Sequence, residues 1–364
     1  MNSQQVITEL QTKGLNLVSD ATGASGRKGG AGPSDHKAVT IGETTVMVPV
    51  YTDGAAQSPY TLKATATGEK LLLKDQQPVA TLDFPKQPQF YQLQTADGIP
   101  YWKIALLHSH NVLATTVLQT CIRYENRRTA CQFCAIGQSL EAGRTIVQKT
   151  PAQLAEVAEA AVRLDGVENM ILTTGTPNTT DRGAAYLTDC AQAICDRTNL
   201  PLQAQCEPPD NFRWFEKLHR AGVDSLGMHL EAADPAVRAK IMPGKAKVSM
   251  DYYYKAFAAA VGVFGRGQVS TYLLAGLGDS KETLLSTSER LISLGVYPFV
   301  VPFVPIVGTP LAGHPAPSSE FMYELYQIIG QQLRQANLLS SDIKAGCAKC
   351  GACSALSLFE KEDL

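Results

Sequence analysis

Between residues 150 and 303 the chain repeats one unit, a short apolar run followed by an amphipathic helical stretch. That repetition narrows the available folds more than any other feature. Thr150 can cap a helix beginning at Pro151, and Leu154, Val157, Ala158, Ala161 and Val162 fall at i, i+3, i+4, i+7 and i+8, one apolar helix face. An apolar strand over 169–173 follows, then a second helix over about 181–197. Further strands are expected at 202–206, 225–230, 269–274 and 297–303, with helices near 212–221, 250–264 and 281–294. Strands alternating with helices build a parallel sheet, and this many units favour a barrel over an open sheet. A run as continuously apolar as YPFVVPFVP suits a strand covered on both faces. The expected class is α/β, a (β/α) barrel of the TIM type, full or partial, over 106–340.

The first 105 residues have a different texture. A short helical pattern over 6–15 precedes the glycine-rich GASGRKGGAGPSDH at 23–36, and β-like runs at 45–50 and 70–73 are broken by turn signals at Asp53-Gly54 and Asp97-Gly98. This reads as a mostly β N-terminal extension, 1–105. The glycine-rich piece matches neither the phosphate-loop pattern nor the dinucleotide fingerprint, because no G-K-[ST] follows it and no strand clearly precedes it. It is either a plain loop or a lid whose Arg27, Lys28, Asp35 and His36 reach the active site. His108 and His110, in ALLHSHN, have ligand chemistry but no cysteine or carboxylate at ligand spacing. They are expected to pack or hydrogen-bond beside the cysteine loop that follows.

That loop, CIRYENRRTACQFC, places Cys121, Cys131 and Cys134 in C-x9-C-x2-C spacing, with Phe133 inside the last pair. The intervening Arg123, Glu125, Arg127 and Arg128 suit a solvated or substrate-facing loop and argue against a disulfide. Three thiolates are one short of the four that usually hold an iron–sulfur cluster or structural zinc. The N-terminal MNSQQVITELQTKG lacks the features of a signal peptide, so the nine cysteines are expected to stay reduced in the cytoplasm, where clustered cysteines mean metal. With 45% hydrophobic and 18% charged residues there is ample material for a core, and no apolar run is long enough for a membrane span. A formal net charge of −2 argues against polynucleotide as the main partner.

A second set, Cys347, Cys350 and Cys353 in KAGCAKCGACSAL, lies in a cysteine-rich segment over 341–364. Its small residues let backbone fold closely around sulfur, as in ferredoxin-type loops, which makes an auxiliary [4Fe–4S] cluster the expectation and zinc the alternative. Cys190 and Cys195 are expected as small buried helix residues. Cys206, beside Glu207, stands at a strand end.

In such barrels function gathers at the C-terminal strand ends. Those ends carry Thr174-Gly175-Thr176, Gln205-Cys206-Glu207, His229-Leu230-Glu231, Gly276-Leu277-Gly278-Asp279 and Gly308-Thr309-Pro310. Glycine permits close backbone approach to a ligand, and carboxylates and hydroxyls suit a ribose or an amino-acid head group.

The cysteine loop followed by β/α units resembles the radical S-adenosylmethionine superfamily, whose usual signature is C-x3-C-x-aromatic-C; here the first gap is nine residues. HLEAADPAVRAKIMPGK and VPFVPIVGTPL are similar to strands of biotin synthase and lipoyl synthase, and the chain as a whole most resembles an uncharacterised bacterial group encoded beside a nitrilase. The resemblance implies a [4Fe–4S] cluster on Cys121, Cys131 and Cys134, with S-adenosylmethionine on the fourth iron. It further implies the methionine end at Thr174, Gly175 and Thr176, the ribose at His229 and Glu231, adenine along Gly276 to Gly278, and Glu207 among the cofactor contacts. The activity implied is hydrogen abstraction from a small-molecule substrate by a 5′-deoxyadenosyl radical, with a reductant such as flavodoxin or ferredoxin. Two alternatives stand beside it: a sulfur-inserting transferase like biotin or lipoyl synthase, and a non-catalytic barrel stapled by zinc.

Overall fold

The cap at Thr150 is realised in full. In the computed structural model, which describes residues 2–17, 36–66 and 68–361, the Thr150 hydroxyl accepts from the Gln153 N–H and the Gln153 side chain accepts from the Thr150 N–H, opening the helix Pro151–Asp165. The Ser249, Ser280 and Ser318 hydroxyls accept from the Tyr252, Thr283 and Phe321 N–H and so cap Met250–Phe264, Lys281–Ser293 and Ser319–Gln335. Local chemistry therefore sets where most barrel helices begin.

The first strands are β1 (His36–Ile41) and β2 (Thr44–Pro49), an antiparallel hairpin, followed by a three-stranded antiparallel sheet of β3 (Tyr60–Ala64), β4 (Lys70–Lys74) and β5 (Gln77–Thr81). The main sheet comprises β6 (Leu106–Leu107), β7 (Val112–Thr116), β8 (Asn169–Thr173), β9 (Leu202–Gln205), β10 (Val223–Gly227), β11 (Val269–Ala275) and β12 (Val296–Pro302). They pair in order from β12 to β6, with β7 to β12 parallel and β6 antiparallel at one edge. Among the described residues β12 does not pair back to β6. The architecture is a curled partial barrel of six parallel strands, the partial form of the expected fold. β10 ends at Gly227, short of the expected 230, because beyond it the chain pairs irregularly with β11 and turns at Glu231, whose φ is 63°.

Side-chain parity divides the strands. Leu113, Met170, Leu172, Leu202, Ala204 and Leu226 join the main core beneath the helices. The alternate residues Val112, Ala114 and Ile171 form a separate cluster with Cys347 and Cys350, and Gln203, Gln205 and Ser270 hydrogen-bond among themselves. The concave face is thus partly polar, and the C-terminal segment lies against it. Asn169, the first residue of β8, accepts from the Gly346 N–H, and Gln268, just before β11, exchanges bonds with Asp342 and Lys344. That segment closes the N-terminal mouth of the sheet.

The N-terminal region braces the plug from outside. Met47 N–H and Gln11 Nε2 both donate to the Ala352 carbonyl, at 2.7 and 3.2 Å, and Gln4 donates to Leu358. Of the glycine-rich stretch, 23–35, with Arg27, Lys28 and Asp35, lies outside the described residues, while His36 opens β1 and is buried.

Candidate active site

The nine-residue gap between Cys121 and Cys131 is folded as two turns. Tyr124 and Glu125 N–H donate to Cys121 O, and Thr129 and Ala130 N–H donate to Asn126 O. Arg123 then anchors the gap. Its guanidinium grips both oxygens of Glu207, each at 2.6 Å, and also donates to the Gly244 carbonyl; Arg123 and Glu207 are both 8% exposed. Burial disfavours charge on either partner, yet each offsets that for the other, holding the Glu207 carboxyl below and the Arg123 guanidinium above their ordinary values. The second half of the loop is held by Gly244 N–H to Thr129 O, Gln132 N–H to Ile241 O and Leu311 N–H to Gln132 O. Phe133 packs with Ile241, Leu277 and Phe303.

Cys121, Cys131 and Cys134 are partly exposed along this loop. Burial, reinforced for Cys131 by Glu231 and for Cys134 by Cys121, pushes the Cys131 thiol well above its usual range and Cys134 to about 12.

The strand-end residues serve the loop more directly than expected from their types. A Cβ on Gly175 would overlap the Thr120 carbonyl, so glycine is what lets the loop pass over β8; its N–H is committed to Leu118 O, and the Thr174 hydroxyl bonds Gly175 O. Thr176 donates to Glu207 at 2.8 Å. Glu231 pairs with buried Lys245 at 2.5 Å. Burial works most strongly against the Lys245 ammonium, but Glu231, with Tyr253, Glu207 and Cys131 added, more than offsets it and raises its pKa. Gly276 and Gly278 take φ of 106° and 129°, the Gly276 carbonyl accepts from His314 Nε2, and Asp279 accepts from Ala233 and Asp234 N–H.

His229 is different. Its Nδ1 accepts from the Tyr272 N–H at 3.2 Å, so the proton of the neutral ring sits on Nε2, and that atom is buried with no protein partner. Burial, then Lys245, depress its pKa to about 3. A neutral N–H donor is therefore buried without a protein acceptor, on a residue that borders a cavity.

The cavity, of about 360 Å³, is lined by Phe133, Thr173, His229, Glu231 and Tyr272 together with Gln11, His36, Met47, His108, Cys347 and Cys353. Phe133 of the first cysteine loop and Cys347 and Cys353 of the second set thus border one space. Cys347 Sγ accepts from Gln205 Nε2 at 3.0 Å and from the Tyr272 hydroxyl. The His108 ring bridges the other pair, Nδ1 at 3.6 Å from Cys350 Sγ and Nε2 at 3.6 Å from Cys353 Sγ. Sequence spacing missed this contact, since His108 lies 242 and 245 residues from those cysteines. Cys206 does not join them. Gln205 meets Cys347, so its neighbour projects to the opposite face, into the core beside Glu207, Asp181 and Arg182. Cys190 is buried in the helix Ala184–Cys195, as expected, whereas Cys195 at its end is only partly buried.

Among the described residues no three His, Cys, Asp or Glu groups are preassembled around a metal position. The residues nevertheless fit the implied groups: three thiols on a braced loop beside an aromatic, an orphaned buried donor, and a cavity reaching from that loop to a second cysteine set. A second hollow of about 1150 Å³ lies over Cys131 and Cys134, bordered by Glu125, Arg127, Glu141 and Gly308. Among the described residues no helix is long and apolar enough to cross a membrane.

Matches to known proteins cover parts of the chain. The family model described as the Radical SAM superfamily matches residues 125–291, starting beyond Cys121. A bacteriochlorophyllide c C-7(1)-hydroxylase from Chlorobaculum limnaeum is 33% identical over 127 residues, which is 34% of this chain and 31% of the hydroxylase. The chain thus matches under a third of that relative's length. A crystal structure of methylornithine synthase superposes with a TM-score of 0.50 at 16% identity, covering 74% of this chain and 77% of the synthase, a likeness of fold.

Proposed function

On the premise that this chain belongs to the radical SAM superfamily, we propose that it is an enzyme abstracting hydrogen from a small molecule held between two iron–sulfur centres. Cys121, Cys131 and Cys134 would hold a [4Fe–4S] cluster that presents S-adenosylmethionine, and Cys347, Cys350 and Cys353 an auxiliary cluster. When bound, the first cluster and its cofactor supply one-electron cleavage of a sulfonium and so a hydrogen-abstracting carbon radical. The observation that carries the reading is the single cavity touching Phe133 of the first loop and Cys347 and Cys353 of the second.

The chain's own residues bind, orient and keep the site dry. The Arg123–Glu207 pair fixes the long loop. His229 Nε2–H offers a donor to a ligand oxygen such as a ribose hydroxyl. Phe133, Leu274 and Phe303 form an apolar wall that excludes water from the reacting region. The cavity volume suits a small molecule. The outer hollow over Cys131 and Cys134 is a route by which a reductant such as flavodoxin or ferredoxin would deliver its electron.

Iron analysis after anaerobic reconstitution tests this. The wild type should hold about eight irons per chain, and triple alanine variants of either cysteine set about four, all brown in colour. A colourless protein carrying zinc at either set refutes the assignment there.

A further inference from the structure

We propose that His108 is the fourth protein ligand of the C-terminal centre, which then has a Cys3His donor set. The inference rests on the reading that Cys347, Cys350 and Cys353 hold a cluster, and goes beyond it by naming the group that completes it.

Three observations converge. His108 is 6% exposed and fixed by its backbone, whose N–H donates to Val112 O at 2.8 Å across the turn from β6 to β7. Its two ring nitrogens each stand 3.6 Å from a different sulfur of the set, Cys350 and Cys353. The next residue, Ser109, hydrogen-bonds the Cys350 sulfur, as a neighbour that orients a ligand would. The turn therefore faces the cysteine segment over two consecutive side chains.

Charge argues the same way. Val112, Ala114 and Ile171 pack against Cys347 and Cys350, beside Gln205 and the Tyr272 and Ser109 hydroxyls, and a fourth thiolate would add further negative charge to that setting of apolar and uncharged polar groups, whereas a neutral imidazole adds a ligand without charge. Nor is a fourth thiol within reach. Cys121, Cys131 and Cys134 belong to the other loop, Cys190 and Cys195 lie on a helix of the outer layer, and Cys206, just past the end of β9, is packed in the main core. Because the groups are not preassembled, loading requires side-chain rotation within the Cys347–Cys350 segment and its neighbours. A closed Cys3His centre leaves no iron open to substrate, and a histidine in place of a thiolate raises the reduction potential.

The test uses the full chain carrying Cys121→Ala, Cys131→Ala and Cys134→Ala, so that only the C-terminal centre remains, reconstituted with iron and sulfide and reduced with dithionite. Pulsed paramagnetic resonance should show a directly bonded nitrogen that becomes ¹⁵N after growth on ¹⁵N-histidine. His108→Cys should keep the iron, lose the nitrogen signal and lower the potential, while His36→Ala should change neither. A cluster without a bonded nitrogen, or a signal that survives His108→Cys or vanishes in His36→Ala, overturns the assignment of His108 but leaves the cluster standing. A parent variant that binds no iron, from a wild type that holds only about four, overturns the auxiliary cluster itself.

Discussion

Removing Glu207 should unfasten the cysteine loop. The carboxylate receives two charge-assisted bonds of 2.6 Å from Arg123 and one of 2.8 Å from Thr176, with side-chain exposures of 10% for Arg123 and 7% for Glu207. Deleting one partner of a buried pair costs about 3–5 kcal/mol, because the other charge is stranded. Glu207→Ala should lose about that much, and Glu207→Gln, which keeps the shape and part of the bonding, about 2–3 kcal/mol. The assay is urea denaturation of the metal-free protein, read as a shift in midpoint at constant slope, alongside iron content after reconstitution. Arg123→Met combined with Glu207→Ala should cost less than the sum of the single changes, with a coupling of about 1–3 kcal/mol. If Glu207→Ala costs under about 1 kcal/mol yet abolishes S-adenosylmethionine binding, Glu207 is a cofactor contact and the clamp reasoning fails.

Gly346→Ala should destabilise the C-terminal segment by about 2–4 kcal/mol, since the residue has φ of 109° and a Cβ would collide with the Gln203 side chain; iron should fall by about half with circular dichroism retained. Retention of all iron would contradict this. His229 should give a stability slope in acid: its folded pKa is about 3 against an ordinary 6.5, so from pH 6.5 down to 3 the unfolded chain binds a proton that the folded chain refuses. Stability from this group is complete above pH 6.5 and falls by up to about 1.4 kcal/mol per pH unit below it. His229→Phe should flatten the difference between midpoints measured at pH 6.5 and 4.5, and an unchanged difference would show that the ring is already solvated.

Much of the fold is legible because its signals are local. Ser, Thr and Pro at helix starts, and apolar residues at 3.6-residue spacing, are written within a few positions of what they determine, so Met250–Phe264 falls where the pattern puts it. The site is less legible because its partners are distant. The carboxylates at 207 and 231 invite a ligand reading by residue type, and nothing local announces that cations 84 and 14 residues away lie beside them. The polar alternation in Leu202–Gln205 is the trace of a concave face that receives the C-terminal segment, a signal hidden while strands are expected to be apolar on both faces. Cys206 shows the value of parity: one position from Gln205 places it on the far side of the sheet.

The central claim, that this loop with its nine-residue gap handles S-adenosylmethionine, is tested most directly at Cys121, which lies before the matched family segment. The measurement is 5′-deoxyadenosine formed anaerobically from S-adenosylmethionine with dithionite, compared between the reconstituted wild type and Cys121→Ala. The account predicts formation by the wild type and none by the variant. Cleavage that survives in Cys121→Ala, or is missing from a wild type with its full complement of iron, would contradict it.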